Sequence, residues 1–211
     1  QEIVLHSNME SKKIAVIGGG AAGFFAAISV KEHHPDHEVT LFEKTSKVLS
    51  KVKVSGGGRC NLTHDCPDVA TLCEAYPRGG KKLKSLFYQF NTTDTIAWFE
   101  SRGVAVKTEK DGRMFPVSDQ SQSIIDCLVT EMTDLKIILQ LGHSIANIEQ
   151  EASGWQLEFK DLEPQKFDAV IVATGGSPKL KGFDWLSRLG HSIVSPIPSL
   201  FTFNMPSEPI K

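Results

Sequence analysis

Gly18, Gly20 and Gly23 form G-x-G-x-x-G within IAVIGGGAAGFFAAI, between an apolar run and an alanine-rich one. The pattern alone is common by chance. Here it falls where a strand hands over to a helix, and each glycine then has its own task. Gly18 allows a tight turn, Gly20 lets a pyrophosphate approach the backbone, and Gly23 lets helix and strand pack closely. Ala21 and Ala22 open the helix, whose free N–H groups and positive dipole end suit phosphate oxygens. Glu43 comes twenty residues after Gly23 and is followed by Lys44. At that spacing a carboxylate accepts hydrogen bonds from a ribose diol, and an acid there favours a free ribose over a 2′-phosphate. The chemistry indicated is dinucleotide binding; Glu43 does not by itself separate NAD from FAD.

A second stretch, KVSGGGRCNL, sets Ser55, Gly56, Gly57, Gly58, Arg59, Cys60 and Asn61 side by side. Three consecutive glycines give up much backbone entropy on folding. From the residues alone, a flexible surface loop is the favoured reading. Cys60 and Cys66 are spaced C-x5-C with Pro67 directly after. A redox dithiol beside a flavin is a competing design, but single-thiol or structural roles fit this spacing better. Cys73 and Cys127 read as packing cysteines. His33, His34 and His37 cluster at a helix end and turn without metal-ligand spacing, so a solvated surface and no metal site are expected. No Ser-His-Asp set or carboxylate pair stands out, and no catalytic side chain is assigned.

The elements that must position these residues follow from periodicity. Lys12–Ile17 reads as a buried strand, Ala21–Val30 as a helix and Glu38–Phe42 as a second strand, a unit that predicts parallel pairing. Lys81–Phe90 and Thr93–Arg102 read as helices, Val104–Lys107 as a short strand, and Glu109–Pro116 as a turn with Arg113 exposed. Ser118 is expected to cap a helix reaching about Met132, and Leu135–Leu141 to be a buried strand. Ser144–Ile148, Gly154–Phe159 and Phe167–Ala173 are three strand-like stretches, the last returning to the central sheet. After Gly190 four prolines mark the exit from a domain.

With 211 residues, the chain has room for one sizeable domain; 40% of them are hydrophobic and 23% charged. The net charge of -2 gives no hint of nucleic acid or an anionic membrane. No apolar run reaches membrane-spanning length, and the start lacks a signal-peptide pattern. A reduced, cytoplasmic setting follows. The expected partner is a small-molecule substrate, with no nucleic acid and no membrane. The expected organisation is an N-terminal extension at 1–11, a binding domain at 12–190, and the start of a linker or substrate domain at 191–211.

GGGAAG, SGGGRCN, DGRMFPVS, VIVATGG and LGHSIVSPIPSL occur here in the order in which they occur in NAD(P)/FAD-dependent oxidoreductases of the aminoacetone oxidase and BaiN-like type. The chain resembles that family from about Lys12 to about Phe203, and SGGGRCN is the most specific piece. The resemblance implies a doubly wound α/β, Rossmann-like FAD-binding domain of the glutathione reductase type, with a small β-meander. It implies FAD bound extended, with pyrophosphate at Gly18–Gly23 and adenosine ribose at Glu43, and NAD(P)H as a possible electron donor or acceptor. Ser55–Asn61 would run beside the pyrophosphate and flavin, where bare N–H groups bond oxygens. Arg59 would offset phosphate or reduced-flavin charge, and Asn61 would meet the ring edge. Ala173, Thr174, Gly175 and Gly176 would pass near the dinucleotide, and Ile145 would lie where backbone groups meet the adenine. The activity implied is hydride or electron transfer between a small organic substrate and oxygen or NAD(P). Members are roughly twice this long, so the chain is expected to be the N-terminal part, truncated before the substrate domain. A flavin-dependent disulfide reductase using Cys60 and Cys66, and a non-catalytic dinucleotide-binding module, remain the alternatives.

Overall fold

The computed structural model describes residues 10–177 and 179–197. Most of the upstream extension, and the proline-rich exit from Pro198 onward, lie outside the described residues. β1 (Lys13–Ile17), α1 (Ala21–His33) and β2 (Glu38–Glu43) form the first strand–helix–strand unit. α2 (Ser50–Val54) leads into a 3₁₀ turn at Ser55–Gly58. Next come β3 (Thr63–His64), α3 (Val69–Glu74), α4 (Gly80–Phe87), α5 (Thr92–Glu100), β4 (Val106–Thr108) and β5 (Arg113–Pro116). The chain continues through α6 (Ser121–Asp134), β6 (Ile138–Leu141), β7 (Ile145–Glu151), β8 (Gly154–Phe159), β9 (Leu162–Phe167) and β10 (Ala169–Val172). A 3₁₀ turn at Leu180–Phe183 runs into α7 (Asp184–Arg188).

The central sheet is parallel throughout, in the order β10-β1-β2-β6. Strand alternation sorts its side chains onto two faces. Ile14, Val16, Val39 and Leu41 point to one face and pack with Phe24, Ala27 and Ile28 of α1 and Ile124, Leu128 and Met132 of α6. Ala15, Ile17 and Phe42 point to the other and pack with Ile148, Leu157, Phe159 and Phe167 of the antiparallel β7-β8-β9 meander. Helices therefore cover one face of the sheet and a β-layer covers the other. Full burial of side chains such as Phe24, Ile28 and Phe42 contributes about 1.5–3 kcal/mol each. Arg102 ties the helical layer together. It lies 3.8 Å over the Trp98 ring and pairs with Glu32 of α1 and, at 3.0 Å, with Glu131 of α6.

Four expectations are corrected. Ser118 does not cap α6: Gln120 is the N-cap residue, without a side-chain cap, and the Ser118 hydroxyl instead meets the Ser123 hydroxyl at 2.7 Å. The strand expected at Leu135–Leu141 starts only at Ile138, because Lys136 is left-handed at φ 57°. It is an edge strand, with Ile138 and Leu141 each 42% exposed. Phe167–Ala173 is not one strand. Phe167 ends the meander, and only Ala169–Val172 joins β1. Between them Asp168 turns the chain, accepting the Lys13 N–H at 2.6 Å. Lastly, Glu109–Pro116 is more than a turn: its second half is β5, the middle strand of the small β3-β5-β4 sheet, although Arg113 is exposed as expected.

Candidate dinucleotide-binding site

β1 ends at Ile17, and the turn that follows is fixed from three sides. Gly18 donates its N–H to Phe42 O, Ala173 donates to Ile17 O, and Leu49 donates to Gly19 O, each at 2.8 Å. Gly18 sits at φ +117°, and a Cβ there would lie 2.5 Å from Ala173 O. A Cβ on Gly23 would lie 1.8 Å from Gly18 O, so the first turn of α1 rests directly on the end of β1. Gly20 differs from both. It is the N-cap residue at φ -91°, exposed, with no atom within 4 Å of where a Cβ would be. It brings no side-chain cap, so the orphan N–H groups of the first turn of α1 remain for a ligand.

Glu43 ends β2 beside this turn. Its Oε2 accepts the Gly19 N–H at 2.8 Å and its Oε1 accepts the Thr45 N–H at 2.9 Å. Two backbone amides thus aim the carboxylate, and each oxygen keeps acceptor capacity.

Two clefts flank the N-terminus of α1. The first, of about 380 Å³, gathers Gly18, Glu43, Lys44, Ile145, Thr174, Gly175 and Gly176. Ala173 lies behind it, under Gly18. Sequence reasoning missed several other lining residues: Phe42, His143, Lys181, Trp185 and Arg188 among them. His143 follows β6 and stacks at an angle on Phe42 and edge-on to Phe159, with ring centroids 5.6 and 5.1 Å apart. Its Nδ1–H donates to Leu141 O at 2.8 Å, which fixes the orientation of the ring. The signal for His143 was topological: the strand next to β2 in a parallel sheet opens its carboxyl end onto the same crevice.

The second cleft, of about 530 Å³, is mostly apolar. Ala21, Ala22 and Phe25 of α1 form one wall; Lys51, Ser55, Cys60 and Asn61 line the approach; Phe90, Phe99, Ile124 and Leu128 are among the residues opposite. The Gly56–Arg59 part of the loop lines neither cleft. Gly56 is held by its own fold, at φ +56° and with 2.8 Å from its would-be Cβ to both Asn61 N and Phe115 Cε1. Gly57 and Gly58 face open space. Arg59 is engaged within the protein: it pairs with Glu109 at 2.5 Å and Asp119 at 3.6 Å, and lies 4.0 Å over the Phe115 ring. The hydrogen bond that Arg59 donates to Glu109 raises the guanidinium's pKa further. Ser121 Oγ donates to Lys53 O at 2.8 Å and ties the start of the loop to α6.

Cys60 and Cys66 are free thiols, and Cys60 is buried. Burial pushes the Cys60 thiol up, against a smaller lowering by Ser55. That is the reverse of an activated thiolate. Among the described residues, no three His, Cys, Asp or Glu side chains converge on a metal position, and no helix is long and apolar enough to cross a membrane.

A three-layer α/β domain with an open glycine turn and an acid closing the next strand defines a Rossmann-type dinucleotide-binding domain. The chain belongs to the family described as HI0933-like protein Rossmann domain, whose model matches residues 12–197. It is 27% identical over 205 residues to a 3-dehydro-bile acid delta(4,6)-reductase of Clostridium scindens, covering 93% of this chain and 48% of that protein. It is also 27% identical over 168 residues to a ribosomal RNA dihydrouridine synthase of Escherichia coli, covering 80% of this chain and 40% of that one. This chain therefore matches somewhat under half the length of each. A flavocytochrome c3 fumarate reductase in its open conformation shares the fold, with a TM-score of 0.59 at 22% identity over 86% of this chain and 36% of that one.

The residues present fit FAD. Gly20 leaves open space at the N-terminus of α1, and the Glu43 carboxylate, held by the Gly19 N–H, lines the adjoining cleft.

Proposed function

We propose that this chain holds FAD for an oxidoreductase that reduces a carbon–carbon double bond conjugated to a carbonyl, with NAD(P)H as the electron donor. The observation that carries the FAD reading is the pairing of an unobstructed Gly20 with a Glu43 carboxylate fixed by Gly19. The choice of reaction comes from the relatives: a delta(4,6)-reductase and a dihydrouridine synthase both carry names that describe saturating such a bond.

In this reading the first cleft holds the adenosine. Glu43 accepts from the ribose diol, Lys44 and Arg188 lie along its rim, and the backbone near Ile145 meets the adenine. The N–H groups of Ala21, Ala22 and Gly23 receive the pyrophosphate. Ser55, Cys60 and Asn61 border the flavin end, over the apolar second cleft. Gly56–Gly58 take the left-handed turns that bring Ser55 and Asn61 to the cleft, and Thr174–Gly176 follow the adenosine side of the cofactor. Arg59 holds the loop through Glu109, Asp119 and Phe115. When bound, FAD supplies two-electron transfer between the nicotinamide and the substrate. The net reaction would consume NAD(P)H and one proton from solvent and give NAD(P)⁺ and the saturated product. Apolar walls exclude water from the reacting end. Residues 12–190 form the FAD-binding domain, 1–11 an extension, and 191–211 the connection toward a substrate domain. Four free thiols accord with a reducing, cytoplasmic setting.

The test is anaerobic. The FAD-loaded protein is reduced with NAD(P)H, then mixed with a conjugated dienone steroid or a uridine-containing oligonucleotide, while the visible flavin band is followed. Return of the band together with the saturated product supports the proposal. A flavin that stays reduced with neither acceptor consumed, and reoxidises only once air is admitted, contradicts it.

A further inference from the structure

Charged side chains alternate in sign on either side of Arg59. Asp111 pairs with Arg113 at 2.8 Å, and Arg113 with Glu109 at 3.5 Å. Glu109 pairs with Arg59 at 2.5 Å, Arg59 with Asp119 at 3.6 Å, and Asp119 with Lys107 at 2.5 Å. An isolated exposed pair contributes little, but in this chain each inner member is held between two partners. Glu109 is itself placed by the β4–β5 hairpin. Its N–H donates to Arg113 O at 2.8 Å, and its carbonyl accepts the Gly112 N–H at 2.9 Å.

Arg59 is the one member of this chain that belongs to the glycine loop. The tip of that loop is conformationally costly. Gly56, Gly57, Gly58 and Cys60 are all left-handed, at φ +56°, +69°, +88° and +63°. Cys60 carries a Cβ, so its conformation persists only where surrounding contacts hold it. Gly57 and Gly58 face open space and bring no such contact. The Arg59 guanidinium lies 4.0 Å over the Phe115 ring, and the edge of that ring lies 2.8 Å from the Cβ position of Gly56. Phe115 is buried in β5, a fixed platform under both residues.

Arg59 lines neither cleft, whereas Ser55, Cys60 and Asn61 around it line the second. We infer that Glu109 is a positioning residue for the cofactor site. It clamps Arg59 onto Phe115 and so holds the Gly56–Cys60 tip in the shape that sets Ser55, Cys60 and Asn61 at the cleft. The inference rests on the FAD reading for one of its two readouts; the other needs no ligand.

The sign of one effect separates this role from a direct contact between Arg59 and the cofactor. With direct contact, Glu109→Ala would free a cation and tighten FAD binding. With a clamp, the same change loosens the tip and weakens binding.

The test compares the wild type with Glu109→Ala, Arg59→Met, Arg59→Lys and the double variant Arg59→Met/Glu109→Ala. Lys166→Met is the remote control, because it breaks a 2.7 Å pair with Glu151 on the meander. First, alkylation of Cys60 is timed without ligand and mapped by mass. Losing a charge-assisted hydrogen bond should speed it about tenfold in Glu109→Ala and Arg59→Met. Buried Cys127 should stay protected. Second, FAD affinity is read from flavin fluorescence. Both single variants should bind about tenfold more weakly, and the double variant no more weakly than Arg59→Met, since one contact is removed twice. Arg59→Lys keeps the charge and should recover part of the loss. Lys166→Met should match the wild type in both readouts. Tm should barely move in any variant, because these pairs are partly exposed; a purely structural role would lower Tm and affinity together. Unchanged Cys60 labelling in Glu109→Ala would overturn the inference. So would FAD binding by that variant as tight as, or tighter than, the wild type's, or additive losses in the double variant. A wild type that binds no FAD, with Cys60 still exposed in Glu109→Ala, would contradict the FAD reading and support the clamp.

Discussion

Gly19 donates its backbone N–H to Glu43 Oε2 at 2.8 Å, so the glycine turn and the acid that ends β2 form one unit. The carboxylate is oriented before any ligand arrives, which lowers the ordering cost of binding. The same bond makes Glu43 a structural part of the turn.

Glu43→Ala leaves the N–H groups of Gly19 and Thr45 without their acceptor. The expected loss of stability is about 1–3 kcal/mol, visible as a lowered urea midpoint. Glu43→Gln keeps an oxygen acceptor and should lose less stability. Its FAD affinity should still fall about tenfold, or about 1.4 kcal/mol, by titration calorimetry. Equal FAD affinity in Glu43→Gln and wild type would remove the ribose role.

Gly23→Ala drives a methyl into the Gly18 carbonyl, 1.8 Å from the Cβ position. Overpacking against backbone at that distance should cost about 2–3 kcal/mol. In a domain of this size that lowers Tm by roughly 5–10 °C. An unchanged Tm would show that α1 can slide off β1.

The cysteines offer a direct check on the dithiol alternative. Cys66 and Cys73 are half-exposed, while Cys60 and Cys127 are buried. Alkylation of the folded protein should label the first pair and spare the second until denaturant is added. Mild oxidation should leave the free-thiol count unchanged. Loss of two thiols, mapped by mass to a Cys60–Cys66 bridge, would revive a disulfide reductase.

Cys127 also makes stability depend on pH. Burial, and then the charge of Glu131, push its thiol up from 9.0 to about 11, against a lowering by Arg102. The folded value exceeds the unfolded one, so the unfolded chain loses this proton first as pH rises. Its contribution is complete below about pH 9 and is lost between about pH 9 and about 11. The urea midpoint should fall across that window, and less steeply in Cys127→Ala. Parallel curves for the two proteins would show that another group governs the alkaline loss.

The β1-α1-β2 unit was legible because every local signal agreed: apolar runs, a glycine turn and an acid at the strand end. The meander was legible only in part. β9 reads LEPQKF, with Pro164 inside it, and only pairing with β8 makes it a strand. SGGGRCN was legible as a special loop but not in its detail. Arg59 is occupied by Glu109 and Asp119, fifty and sixty residues away, and no local pattern announces such partners. His143 was missed for the same reason: sheet order, not spacing, brings it beside Glu43.

The central claim is that the N-terminus of α1 receives the pyrophosphate of FAD, and Gly20 tests it most directly. A Cβ at Gly20 meets no protein atom, and its φ of -91° suits any residue. Gly20→Val should therefore fold with a Tm close to the wild type, so any effect falls on the ligand. The measurement is the visible spectrum of each protein after incubation with FAD and desalting. The account predicts flavin bands in the wild type and none in the folded variant. Equal flavin retention in both would contradict it.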